Sequence, residues 1–348
     1  MVRLGTALLS AAMLILPMAC SSPRDYFLEA PGAAEDGLPE LFGLLDGGGL
    51  GDDERFAVVQ KISSRFIERE DYGRLITFLT GVVDADPAGR YDARYLLSVA
   101  WAYSRRGADD VALLYYDRIV KNYADLVVNG ESIHFACLRR ILALSPSPSR
   151  RIEYRRELIA RFPDRVDLGT ELFLLGLEFE EMGDWDAALD AYKRFLSSYV
   201  ADVPGHPDAL QYARSFIDLA TIPKDWTFET LDELLSAVKR HMASGNSRAL
   251  SRIRAKVGFF AMDWHQDRDD GNSQVLFDLG VFMAGGRVYY ADALDPSSSS
   301  REAFLRTWGW TERIATWYLY FRKINFPADP EVHGRWEWAG IYFGEKIQ

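Results

Sequence analysis

The chain has 348 residues, 48% of them hydrophobic, which is apolar mass enough for a sizeable core and, at usual domain sizes, for two domains. Its formal net charge of −11 argues against a nucleic-acid partner, because phosphate backbones are held by basic surfaces. Two cysteines, Cys20 and Cys137, are too few for a disulfide framework.

The chain opens on Arg3 and an uncharged, apolar stretch from Leu4 to Leu16. A spanning helix needs about 20 apolar residues, so this stretch predicts an export signal rather than a membrane crossing. No later run is long enough to span a bilayer. The stretch ends in Leu16-Pro17-Met18-Ala19-Cys20. That run resembles the lipobox of bacterial lipoproteins, with Pro17 standing where the family has Leu. The resemblance implies a signal peptide over 1–19, a lipidated Cys20 as mature N-terminus, and membrane attachment through that lipid. An ordinary cleaved secretory signal is the other reading of the same residues. Ser21 and Ser22 follow with no aspartate, which resembles outer-membrane sorting in diderm bacteria. The expected location is therefore the cell envelope, lipid-anchored at the outer membrane and facing the periplasm. Cys137 is then left without an intrachain partner, and its neighbours Phe135, Ala136 and Leu138 predict a buried, inert thiol.

Residues 20–54 are expected to form a flexible tether, with one short helical turn around Leu38–Leu45. Pro23, Pro31, Pro39 and the run Gly47-Gly48-Gly49-Leu50-Gly51 leave little apolar area to repay chain entropy. From Phe56 a helical periodicity begins, behind Asp52 and Asp53 as N-cap residues. Segments then recur at a spacing of about 37 residues. The clearest unit places Leu172, Leu175, Gly176, Phe179, Gly183, Trp185, Ala188, Leu189 and Tyr192. A second places Leu96, Val99, Ala100, Tyr103, Gly107, Ala112, Leu113 and Tyr116 in the same slots. Two weaker units fit around them. One holds Val59, Ile62, Phe66, the turn Glu70-Asp71-Tyr72 and Pro87, the other Phe135, Leu138, Leu142 and the closing Phe162-Pro163. In the latter, Arg139 and Arg151 replace small residues and Pro146 and Pro148 replace the turn glycine. Asp208–Ala220 reads as a lone capping helix.

These slots resemble the tetratricopeptide repeat. Gly176 and Ala188 are small where two helices cross closely, and Gly183-Asp184 suits a tight turn. Trp185 and Tyr192 would fill the hole between hairpins, since no hairpin buries its faces alone. The resemblance implies an α-solenoid of about four helix hairpins over 55–222. It also implies a concave, protein-binding groove lined by the first helix of each hairpin. Here that groove takes Arg94, Leu97, Trp101 and Ser104 from the second unit, Arg140 from the third, and Thr170, Phe173, Leu177 and Glu180 from the fourth. An aromatic and a leucine beside arginine suit a peptide-binding surface. Trp101 packed against the capping helix or the C-terminal domain is the other reading.

After Pro223 the character changes, and seven of nine tryptophans lie from Trp226 onward. Helices are predicted over Thr230–Met242 and Ser247–Lys256. Strands are predicted over Val257–Trp264, Arg287–Leu294, Phe304–Trp310, Ala315–Phe326 and Arg335–Phe343. Alternation puts Trp317, Leu319 and Phe321 on one face, and likewise Trp336, Trp338 and Tyr342. The fold class is thus mainly α, with a C-terminal α+β domain over 226–348 built on an antiparallel sheet.

No nucleophile elbow, phosphate loop or zinc motif is present. The acidic run Asp263–Asn272 fails the calcium-loop register, because Gly271 at the sixth place puts Gln266 first and Arg268 third. No metal and no cofactor are expected. Glu337 between Trp336 and Trp338 looks like a sugar subsite, and core packing is the commoner fate of such rings. The function expected is a non-enzymatic envelope scaffold that binds envelope proteins in outer-membrane assembly or transport. The alternative is a periplasmic module that takes a sugar or lipid on Trp308, Trp310, Trp336 and Trp338.

Overall fold

Amphipathic periodicity and polar caps set the helices of this chain. The computed structural model describes residues 23–29, 33–34, 36–87, 89–198, 202–266, 277–284 and 286–346. Cys20 and the expected export signal lie outside them. The chain forms two compact units, Met1–Ser145 and Pro146–Gln348.

The first unit runs α1 (Pro23–Leu28), α2 (Leu38–Asp46), α3 (Asp52–Glu68), α4 (Tyr72–Ala85), α5 (Asp92–Arg105) and α6 (Asp109–Asn122). The two-residue strands β1 (Val127–Val128) and β2 (Glu131–Ser132) then lead into α7 (Ile133–Leu144). α3 packs with α4, α5 with α6, and α7 against α6. Gly107 turns between α5 and α6 at φ 74°, whereas Glu70 takes the left-handed conformation (φ 55°) between α3 and α4. Asp71 and Ser132 cap their helices by accepting from the backbone N–H of Arg74 and Phe135, at 3.1 and 3.0 Å.

The segment expected to be a tether carries packed structure. Phe27, Leu38, Leu41 and Phe42 are buried. Phe27 and Phe42 stack at 5.5 Å, and both rings meet Phe78 of α4. Arg74 Nε donates to the Tyr26 carbonyl at 2.8 Å. Counting prolines and glycines underweights two aromatic rings, each of which buries about 150–250 Å².

The second unit runs α8 (Pro148–Arg161), a 3₁₀ turn (Pro163–Arg165), α9 (Leu168–Met182), α10 (Trp185–Ser197) and α11 (Ala209–Thr221). α12 (Leu231–Ala243), α13 (Ser247–Ile253), β3 (Phe260–Asp263), α14 (Leu279–Ala284), β4 (Tyr289–Tyr290), β5 (Glu302–Trp308), β6 (Trp317–Lys323) and β7 (Trp336–Phe343) follow. α9 and α10 form a hairpin closed by Gly183 at φ 72°. A Cβ at Gly176 would run into the Tyr192 ring, and Ala188 is fully buried. α8 is joined to α9 by buried charge instead of small residues, with Arg155 held between Glu171 and Glu178.

Phe216 of α11 meets the ring of Phe326 beyond β6 at 5.2 Å, and Ile324, Phe326 and Val332 share one core with α8–α11. The expected domain boundary at 222–226 therefore falls inside a continuous core. The boundary between compact units lies at Ser145/Pro146, where Pro146 interrupts the helices and Ser147 caps α8.

All five predicted strands form one sheet, in the order β3-β7-β6-β5-β4. Its pairs are antiparallel except β3 against β7, which is parallel. One face, with Trp317, Leu319, Phe321, Trp336 and Trp338, packs with Leu234, Val238 and Leu250 of α12 and α13. The other gathers Phe260, Met262, Phe304, Tyr318, Tyr320 and Tyr342. A register shift between Tyr320 and Phe321 lets the β7 alternation flip, so Tyr342 stands opposite the face of Trp336 and Trp338, where simple alternation had put it with them.

Candidate functional site

The amphipathic α5 buries Leu96, Val99 and Ala100 and turns Arg94, Leu97, Ser98 and Trp101 toward a cavity of about 700 Å³. Phe135, Ala136, Arg139 and Arg140 of α7 form the facing wall, and Ile67, Tyr116 and Glu131 complete it. The cavity lies wholly within the first compact unit. Four of the residues expected in a groove, Arg94, Leu97, Trp101 and Arg140, thus come together. Ser104 does not line the cavity. Trp101 packs edge-on against Tyr72 at the start of α4, with centroids 5.5 Å apart.

Arg94 is the electrostatic feature of this site. Its guanidinium is half-buried, and burial alone pushes its pKa below the usual arginine range. It donates to Ser98 Oγ at 3.3 Å and meets no carboxylate among the described residues. A half-buried guanidinium with no carboxylate beside it gains from an incoming anion. Sequence reasoning missed Phe135 and Arg139, although Phe135, Arg139 and Ala143 recur at helical spacing on one face of α7.

The residues expected from the fourth unit are elsewhere. Phe173 is buried against Tyr192, Phe195 and His206, at 5.8, 5.2 and 5.2 Å. Leu177 packs on the same cluster. Glu180 accepts from the hydroxyls of Tyr192 and Tyr212, the latter at 3.0 Å. Desolvation raises the Glu180 pKa against the lowering effect of those hydrogen bonds. The groove assignment fails here because Tyr212 of α11 and His206 before it fill the face.

The tryptophan patch is also corrected. Trp310, Trp336 and Trp338 are buried in the core beneath α12 and α13. Both faces of β7 are covered, which leaves no concavity for a ligand at these rings. Trp308 alone is exposed, at 41%, and stacks on Tyr289 at 6.1 Å. Glu337 is buried too, accepting from Trp226 Nε1 at 3.0 Å and Arg322 Nε at 2.8 Å. A carboxylate so occupied is a structural anchor, not a sugar subsite.

Of the acidic run, Asp263 accepts from the His265 N–H at 2.7 Å, and residues 267–276 lie outside the described residues. Among the described residues no group of three His, Cys, Asp or Glu is placed to hold a metal. Cys137 is buried, and burial pushes its thiol pKa up. No described helix is long and apolar enough to cross a membrane.

The family comparison matches the α9–α10 hairpin alone. Residues 172–200 match the tetratricopeptide repeat. A tetratricopeptide repeat protein from Parabacteroides merdae ATCC 43184 is similar in structure at 13% identity, over 65% of this chain and 83% of that one, with a TM-score of 0.34. Comparison with characterised proteins finds no match. Repeats of this family are generally non-catalytic scaffolds for protein–protein contacts.

Proposed function

We propose that the protein is a lipid-anchored scaffold of the bacterial envelope, whose N-terminal unit takes an extended segment of a partner protein into the cavity around Arg94. One observation carries this reading. Arg94 is half-buried, meets no carboxylate among the described residues, and stands beside Leu97 and Trp101 on an open wall. An acidic side chain flanked by an apolar one satisfies both requirements. The partner is an envelope protein, in assembly or transport at the outer membrane, and Cys20 holds the scaffold there.

A photo-crosslinking residue placed at Leu97 tests the cavity in intact cells. We expect a discrete adduct from Leu97 and none from Asp110, an exposed position on α6. Equal adduct patterns from both positions would remove the reading. Cys20→Ala tests the anchor separately, since it should shift the protein from the membrane to the soluble fraction.

A further inference from the structure

A second cleft, of about 890 Å³, opens within the C-terminal unit. One wall is a stripe of α11, where Leu210, Arg214 and Asp218 follow at helical spacing. The other is the segment from α13 into β3, with Arg254, Lys256 and Phe259. Arg254 lies over the Phe259 ring at 5.2 Å and donates to the Phe277 carbonyl at 3.3 Å. Lys256 Nζ donates to the Ser251 carbonyl at 3.1 Å.

Several arginines elsewhere in this unit take carboxylates. Arg155 is held by Glu171 and Glu178, Arg161 by Glu157, and Arg322 by Glu337. Among the described residues of the cleft three cations face one acid, and none of the three forms an ion pair there, not even Arg214 with Asp218 one turn away. The chain as a whole carries −11, so this local excess of positive charge runs against its composition. Uncompensated cations around a low-dielectric cleft focus a positive potential that draws anions in. Guanidinium forks match carboxylate and phosphate oxygens in pairs. Phe259 and Leu210 add apolar surface, and the volume falls within the range of about 300–1,000 Å³ usual for small-molecule sites.

We infer that this cleft binds a small anion bearing two or more oxyanion groups, carboxylate or phosphate. The site is separate from the cavity around Arg94 and does not depend on its role.

Calorimetric titration of the purified protein with citrate and with pyrophosphate tests the site and tells the two oxyanions apart. At least one probe should bind with one-to-one stoichiometry, more weakly as salt rises. Arg214→Gln should weaken it about tenfold or more through loss of a charge-assisted pair. Asp218→Asn should strengthen it, and Arg94→Gln should leave it unchanged. Arg214 is exposed on α11, so its replacement leaves the fold intact and makes it the deciding variant. Arg254→Gln, whose native side chain also braces the Phe277 carbonyl, should weaken binding as well. No binding of either probe at millimolar concentration would overturn the inference. So would binding that survives Arg214→Gln, or that Arg94→Gln abolishes.

Discussion

α5 and α9 each open a helix hairpin and share one sequence pattern, yet one wall is open and the other is filled. The slots that give Arg94, Leu97 and Trp101 on α5 give Thr170, Phe173 and Leu177 on α9. The first set lines a cavity of about 700 Å³, and Phe173 lies in closed core. The difference comes from the neighbour. α7 presents Ala136 and the exposed Arg139 and Arg140 across from α5, leaving space between them. The chain after α10 brings His206 and Tyr212 onto α9, and their rings meet Phe173 at 5.2 and 6.2 Å. A repeat slot therefore sets which face a side chain takes, and the next element sets whether that face is a site or a core.

The largest expected effect separates core aromatics from wall aromatics. Trp338 is fully buried and touches Phe259 edge-on at 5.5 Å. Trp338→Ala should cost about 3–5 kcal/mol, read from the denaturation midpoint of the C-terminal unit. Trp101→Ala, on a wall open to solvent, should cost less than half as much in its own unit. Equal losses would mean that the space beside Trp101 is closed core and the comparison of α5 with α9 is mistaken.

Next comes the helix crossing. Gly176 on α9 and Ala100 on α5 share a slot, and Ala100 is fully buried in its own hairpin. At Gly176 the added Cβ would meet the Tyr192 ring. Gly176→Ala should therefore destabilise by about 1–3 kcal/mol. The same change on a free helix surface gains about 1 kcal/mol. Ala100→Gly should cost at least that helix term, again about 1 kcal/mol. A more stable Gly176→Ala protein would show that the two helices stand further apart than described.

Much of the fold was legible because its signals are local. Gly183 and Gly107 marked the turns they make, Ala188 marked a close crossing, and the five strands of the sheet showed in their aromatic runs. What failed depended on contacts distant in sequence. Phe27 finds Phe78, Tyr212 finds Glu180, and Arg322 and Trp226 find Glu337. No window along the chain holds both members of such a pair. The site was half legible for the same reason. α5 and α7 named Arg94, Leu97, Trp101 and Arg140 by slot, and slot alone could not reveal that α11 closes the equivalent face of α9.

A smaller effect tests that closure by pH. Burial raises the Glu180 carboxyl above the ordinary glutamate range, despite hydrogen bonds from Tyr192 and Tyr212. A carboxyl raised on folding holds its proton more tightly in the native state. Its favourable contribution is complete below about pH 4.3 and is lost as pH rises through the folded value. Glu180→Gln removes that titration, so the variant should gain on the parent from about pH 4 to pH 7. Ser104, in the same slot of α5, has nothing to titrate, and Ser104→Ala should show no such trend. A Glu180→Gln variant that loses ground as pH rises would mean that the two tyrosines favour the ionised form.

The smallest effect belongs to Trp308, and it bears on why one aromatic residue of the sheet differs from its neighbours. Trp308 ends β5 opposite Tyr289 of the two-residue edge strand β4, whose ring lies nearly parallel to its own. Cross-strand aromatic pairs contribute about 0.2–1 kcal/mol, far below the value of a buried ring. Trp308→Ala should therefore change stability by less than about 1 kcal/mol. Because 41% of the residue is exposed, it should also remove the fluorescence component most readily quenched by iodide. Trp336→Ala, whose ring packs under α12 at 6% exposure, should leave that quenchable component in place while costing several-fold more stability. Should Trp308→Ala prove as costly as Trp336→Ala, the edge of the sheet at β4 would be covered, and the Trp308–Tyr289 pair would belong to a contact rather than to the surface.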